Sequence, residues 1–178
     1  MYKLMKNGAV QRLSDKAIIQ ADDTNRDWQE YQAWVSAGNT AAPAETADEA
    51  KSRVWEAIKA KRDAIKAGGV KVGTKWYHSD ETSRTQYIGL LRMADAAVTA
   101  GGSGNTTLQY GGQDIQWKTM DGSFIKMTVQ RANDVFNAVS GLDFAAFGAA
   151  EAHKAAMEAS ADPASYDFAA GWPATFGG

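Results

Sequence analysis

Apolar positions in the first 35 residues follow two rhythms. Tyr2 and Leu4 stand on one side of Asn7-Gly8, and Val10 and Leu13 on the other. Short apolar-polar runs make strands with one apolar face, and Asn-Gly accepts the positive φ angles of a tight turn. An N-terminal β-hairpin is therefore predicted, with Ile18-Ile19 as a short third strand. From Asn25 the spacing lengthens. Trp28, Tyr31 and Val35 recur at helical intervals, with Trp34 beside their stripe. Asn25 can cap this helix by accepting a free N–H of the first turn, and Gly38-Asn39 can stop it.

Further along, Val54, Ile58 and Ile65, widened by Trp55, predict a helix from about Asp48 to Ala67, ended by Gly68-Gly69. Val70 and Val72, then Trp76 and Tyr77, flank Gly73-Thr74 as a second hairpin. Ser79 or Asp80 is placed to cap a helix whose buried face is Tyr87, Leu91, Ala94 and Val98. A Gly-rich loop at 101–105 precedes a third hairpin, Ile115 to Thr119 and Phe124 to Thr128, turning at Asp121-Gly122. Thr128 then caps a long last helix carrying Val129, Val135, Phe136, Val139 and Phe147, with a kink or break expected near Gly141.

Hairpins alternating with helices, without strand-helix-strand crossovers, predict an α+β fold with small antiparallel sheets. The Thr-, Ala- and Pro-bearing stretch 40–47 marks a linker. It divides an N-terminal hairpin-and-helix module, 1–39, from a larger domain, 48–160. Residues 161–178 form a tail with four aromatic residues and no strand or helix periodicity.

Composition narrows the functional classes. The chain has 178 residues, 44% of them apolar, with six each of Trp, Tyr and Phe. That is enough apolar material for a real core and excludes compositional disorder for the bulk of the chain. The absence of cysteine excludes a disulfide scaffold, a thiolate metal site and a cysteine nucleophile. No apolar run approaches the ~20 residues of a membrane helix, and Met1-Tyr2-Lys3-Leu4 does not open as a secretory signal does. No membrane insertion is expected. The formal net charge of −2 gives no general attraction to nucleic acid. Eight basic residues do fall between Lys51 and Lys75 against Glu56 and Asp63 alone. They surround a helix rather than lining one stripe, so no nucleic-acid partner is expected.

Catalytic constellations are sparse. The two histidines, His78 and His153, lie in different predicted elements, without a ligand three or four residues away. Asp22-Asp23 and Asp15 read as helix-start and turn residues. Gly101-Gly102-Ser103-Gly104 lacks the Lys-Ser/Thr of a phosphate loop. The expectation is of no enzyme, no metal and no cofactor. The residues that stand out are large aromatics, the side chains most enriched at binding hot spots. Trp28, Tyr31 and Trp34 in the first module, and Tyr166, Phe168, Trp172 and Phe176 in the tail, are the candidate partner-binding residues. Trp28 and Tyr31 fit better as cover for the module's own sheet, and the tail rings fit the chain's own core as well as a neighbouring subunit. Trp34 is the favoured docking anchor, because it lies off the stripe of its neighbours.

Two stretches resemble proteins of bacteriophage tail gene clusters. The first runs from Val10-Gln11-Arg12-Leu13-Ser14-Asp15 through Asn25-Arg26-Asp27-Trp28-Gln29-Glu30-Tyr31 and Trp34-Val35 to Gly38-Asn39-Thr40. It resembles the N-terminal module of tail-fibre-associated proteins, although the proline of its exit comes late, at Pro43. The second, from Lys61-Arg62-Asp63 through Gly69-Val70, Gly73, Trp76, Asp80 and Tyr87 to Trp117-Lys118 and Asp121-Gly122, is similar to a phage-encoded domain of unknown function. The resemblance implies a phage tail role without a known catalytic residue and leaves open whether the protein stays in the virion. A structural component at the fibre, baseplate or tail tip is the first expectation. It would be made in the bacterial cytoplasm, retained in the virion and self-associated there. Its partners would be other tail proteins, with a host surface receptor as a further candidate. A fibre-assembly chaperone that leaves before the virion is complete is the alternative.

Overall fold

A computed structural model of the chain describes residues 1–177. The fold is α+β: long helices and small antiparallel sheets. The chain divides into two compact units, Met1–Ser52 and Arg53–Gly178.

In the first unit, β1 (Tyr2–Leu4), β2 (Val10–Arg12) and β3 (Ile18–Ile19) form one antiparallel sheet in that order. The register pairs Tyr2 with Arg12, Leu4 with Val10 and Val10 with Ile19, so these five side chains share a face. Helix α1 (Arg26–Ser36) supplies the cover for Tyr2, Val10 and Ile19. Asn25 caps it by accepting from the Asp27 N–H, and Gly38 leaves it with φ +89°. Leu13 lies past the end of β2 and is exposed. The stretch expected as a linker is tied down. Ala42 bridges Lys3 in parallel, with Leu4 donating to the Ala42 carbonyl and Ala42 to that of Tyr2, both at 2.8 Å.

Helix α2 (Ala47–Ala67) carries the boundary between the units, and Arg53 onward belongs to the second. There Val54, Ile58, Ala150 and Met157 make one buried cluster. A larger one gathers Ile65, Val70, Tyr77, Tyr87, Leu90 and the inner face of the last helix. The hairpin β4 (Val70–Val72) and β5 (Lys75–Tyr77) turns at Gly73, whose φ is +59°. Gly69 at φ +92° lets the chain leave α2 directly into β4.

Asp80, not Ser79, caps α3 (Glu81–Thr99), by accepting from the Ser83 N–H. Ser79 is buried and closes the end of α2 instead. Its hydroxyl donates to the Lys66 carbonyl (2.6 Å) and accepts from the Gly69 N–H (2.8 Å). Arg84 adds to this closure, donating to the carbonyls of Lys66 (2.9 Å) and Ser79 (2.5 Å) and to Asp143 (2.6 Å). The buried face of α3 keeps the expected Tyr87 and Ala94 and takes Leu90 into the core, while Leu91 is only half-buried and Val98, expected inside, faces solvent with Ile88.

A small hairpin, β6 (Gln109–Tyr110) and β7 (Gln113–Asp114), precedes the predicted one, β8 (Gln116–Lys118) and β9 (Phe124–Lys126). Helix α4 (Val129–Ala159) runs unbroken for 31 residues, so the break expected at Gly141 is absent. Gly141 and Gly148 stand on its outer side, where a helical glycine costs only ~1 kcal/mol against alanine. Packing of the opposite side against α3 and the main core outweighs that. A single 3₁₀ turn, Pro163–Ser165, begins the tail.

Candidate functional site

The aromatic residues singled out in the sequence fall into two groups, each inside one unit. In the first unit, Trp28, Tyr31 and Trp34 are all half-buried over the sheet. Tyr2 lies beneath, 5.1 Å from the rings of both Tyr31 and Trp34, and Trp28 stands 5.1 Å from Tyr31. The buried face of α1 is thus centred on Tyr31, with a tryptophan on either side. Trp34 belongs to it, which corrects the expectation that it stands apart, and Val35 is the residue left exposed. The larger ring makes the contact with Tyr2. Arg12, sharing the sheet face with Tyr2, reaches Asp15 (2.8 Å) and Asp27 (3.2 Å) and pins the start of α1.

In the second unit the tail folds back over the chain's own core. His153, on α4, is its clamp. One ring nitrogen, Nε2, meets the Ala170 carbonyl at 2.9 Å, which fixes it as a donor. The other, Nδ1, pairs with the Tyr166 hydroxyl at 2.9 Å. The Trp172 ring stacks on the imidazole at 5.1 Å, donates through Nε1 to the Phe168 carbonyl (2.8 Å), and touches both hydrophobic clusters. Further on, the Phe176 N–H donates to the Gly68 carbonyl (2.9 Å), and its ring meets Trp76 edge-on at 6.1 Å. Tyr166, Phe168 and Trp172 are half-buried, and Phe176 is more exposed.

His78 is separated from His153 in chemistry as well as in sequence: its carbonyl accepts from the buried Tyr87 hydroxyl (2.8 Å). Burial pushes the Tyr87 phenol well above its usual range. Asp121 is a heavily bonded carboxylate. It accepts from Lys75 (2.7 Å), Thr119 (2.6 Å), and both the hydroxyl and N–H of Ser123. The Lys75 ammonium, then the two hydroxyls, hold it far below the usual carboxylate range. All of these groups close turns and hairpins. The basic run of α2 is also used locally: Lys59 pairs with Glu56, Arg62 with Asp63, and Lys66 lies 3.6 Å from Asp143. Among the described residues, no group of three or more His, Asp or Glu is placed to hold a metal ion.

Four large rings that sequence reasoning assigned to the core, or passed over, face outward in the second unit. Tyr110 is 81% exposed at the tip of the β6–β7 hairpin, and Phe124 is 67% exposed on β9. Phe144 and Phe147 are 80% and 56% exposed on α4. Residues 49–170 match the protein family described as "Domain of unknown function (DUF4376)". That is more than half of the sequence. The chain belongs to the DUF4376 family. No curated protein and no solved structure matches it. The DUF4376 segment runs from the first turn of α2 to Ala170, so it includes the His153 clamp and all four outward rings. The sheet-and-helix cluster of Tyr2, Trp28, Tyr31 and Trp34 precedes it.

Proposed function

We propose that this DUF4376 member is a structural component of a bacteriophage tail, acting by protein–protein binding at a fibre, baseplate or tail tip. The order of its motifs, resembling tail-fibre-associated modules, supports that setting. The observation that carries the binding role is the outward set of Tyr110, Phe124, Phe144 and Phe147. Large rings gathered on one outward face, as Phe144 and Phe147 are on α4, mark the kind of surface that another macromolecule covers. In this reading the chain has no catalytic duty. Its partners are neighbouring tail proteins and further copies of itself, and it resides in the virion after synthesis in the bacterial cytoplasm.

Mass spectrometry of purified particles tests the assignment. Peptides of this chain at a fixed ratio to the major tail proteins are the expected result. Peptides confined to the infected-cell lysate, with none in particles, overturn it in favour of a fibre-assembly chaperone.

A further inference from the structure

Between Asp134 and Glu151, helix α4 carries a single charged residue, Asp143, and that side chain is turned to Arg84 and Lys66. The solvent side of these four turns holds Asn137, Gly141, Phe144, Ala145, Phe147 and Gly148, all exposed. A helix facing only water ordinarily carries charge there. Phe144 projects as a knob. Gly141 and Gly148, three and four residues to either side, are gaps: a Cβ built at either meets nothing within 4 Å.

A knob flanked by gaps on one helix fits a second copy of the same face, because a two-fold axis presents each knob to the other copy's gap. We propose that the outward face of α4 seats a second copy of this chain, with the two helices antiparallel and Phe144 of each over Gly148 of the other. The proposal gives a face to the self-association in the functional reading, and rests on that reading only for where the copies meet.

Area sets the strength. At ~200 Å² per fully exposed ring, Phe144 and Phe147 offer roughly 270 Å² per copy. Across the pair the rings supply about half of the ~1,000 Å² that marks a specific interface. The remainder must come from Asn137, Gly141, Ala145 and Gly148, along the ~17 Å of helix from Asn137 to Gly148. Such an interface is weak in dilute solution and suited to copies already held close together.

Sedimentation of the purified full chain across a concentration series tests this independently of particle composition. A monomer–dimer equilibrium with a Kd of ~100 μM is expected. Phe144→Asp should weaken it at least tenfold. Gly148→Leu should also weaken it by a similar factor, although it makes the face more apolar, because it fills the gap. Phe124→Ser, on a different element, should leave it unchanged. Measured well below the Kd, Phe144→Asp and Phe124→Ser should stay folded with a melting midpoint close to the parent's, and Gly148→Leu should melt a few degrees higher, because it replaces an unstrained helical glycine. A chain monomeric at millimolar concentration, a dimer indifferent to Phe144→Asp, or a dimer strengthened by Gly148→Leu would each overturn the proposal.

Discussion

Single side chains in this protein hold turns more than they hold surfaces. Asp121 gathers Lys75, Thr119 and Ser123 around the β8–β9 turn and ties that hairpin to β5. Its folded-state pKa lies below the value of the unfolded chain. The stabilisation is therefore fully present above the unfolded value of ~3.9 and drains away as pH falls from there through the lower folded value. Asp80, Asp114 and Glu49 are shifted in the same direction, by their caps and ion pairs, so acid unfolding should be steep. Denaturant titrations at several pH values should find Asp121→Asn less stable than the parent at pH 7, with the gap narrowing steadily from about pH 4 down to about pH 2. A constant gap between the two across that range would show that the carboxylate charge is not what matters. The caps were legible because Asn25, Asp80 and Thr128 each precede an apolar period. The reassignment of Ser79 was not, since its partners, Lys66 and Gly69, belong to the preceding helix end and meet it only after the β4–β5 hairpin has closed.

At the scale of elements, the junction of α2 and β4 is crowded around Gly68 and Gly69. A methyl group at Gly69 would strike the Met120 sulfur and would have to accept φ +92°. At Gly68 the backbone is unstrained, and the obstacle is the Thr175 side chain in the tail. Gly69→Ala should therefore cost about 2 kcal/mol or more of global stability. Gly68→Ala should cost less, and should release the Thr175–Phe176 contact, read as faster amide exchange at Phe176. Equal losses for the two variants would contradict this division. Hairpins with Asn-Gly, Gly-Thr or Asp-Gly turns were readable because the turn residues and the apolar flanks agree. The β6–β7 hairpin was missed because Gln109, Tyr110, Gln113 and Asp114 have no apolar alternation. Only Gly111-Gly112, both at positive φ, announced it. The outward turn of Phe144 and Phe147 was unreadable for a different reason. Periodicity reports that a face is apolar, and a face that packs on a partner has the same period as one that packs on a core.

For the molecule as a whole, the sequence showed that the tail is aromatic and left open what covers it; the structure places it on the chain's own second unit. Removing residues 162–178 should uncover Val54, Ile58 and Met157 and leave His153 without the two groups it holds. Losing the half-buried Trp172 and its neighbours should cost about 3 kcal/mol, or ~10 °C in the melting midpoint of that unit. Calorimetry of the truncated chain checks this, and an unchanged midpoint would mean that the tail merely rests on the surface. The same strap has a consequence for synthesis. The Phe176 N–H finds its acceptor at Gly68, more than a hundred residues earlier in the chain, and contacts so distant in sequence form late. On a ribosome, α2 and the β4–β5 hairpin emerge long before the segment that covers them. The second unit cannot reach its final packing until Phe176 has cleared the exit tunnel. Until then the part of the Val54, Ile58 and Met157 cluster that Tyr166, Phe168 and Trp172 cover stays open to whatever nascent-chain chaperones or neighbouring copies are at hand.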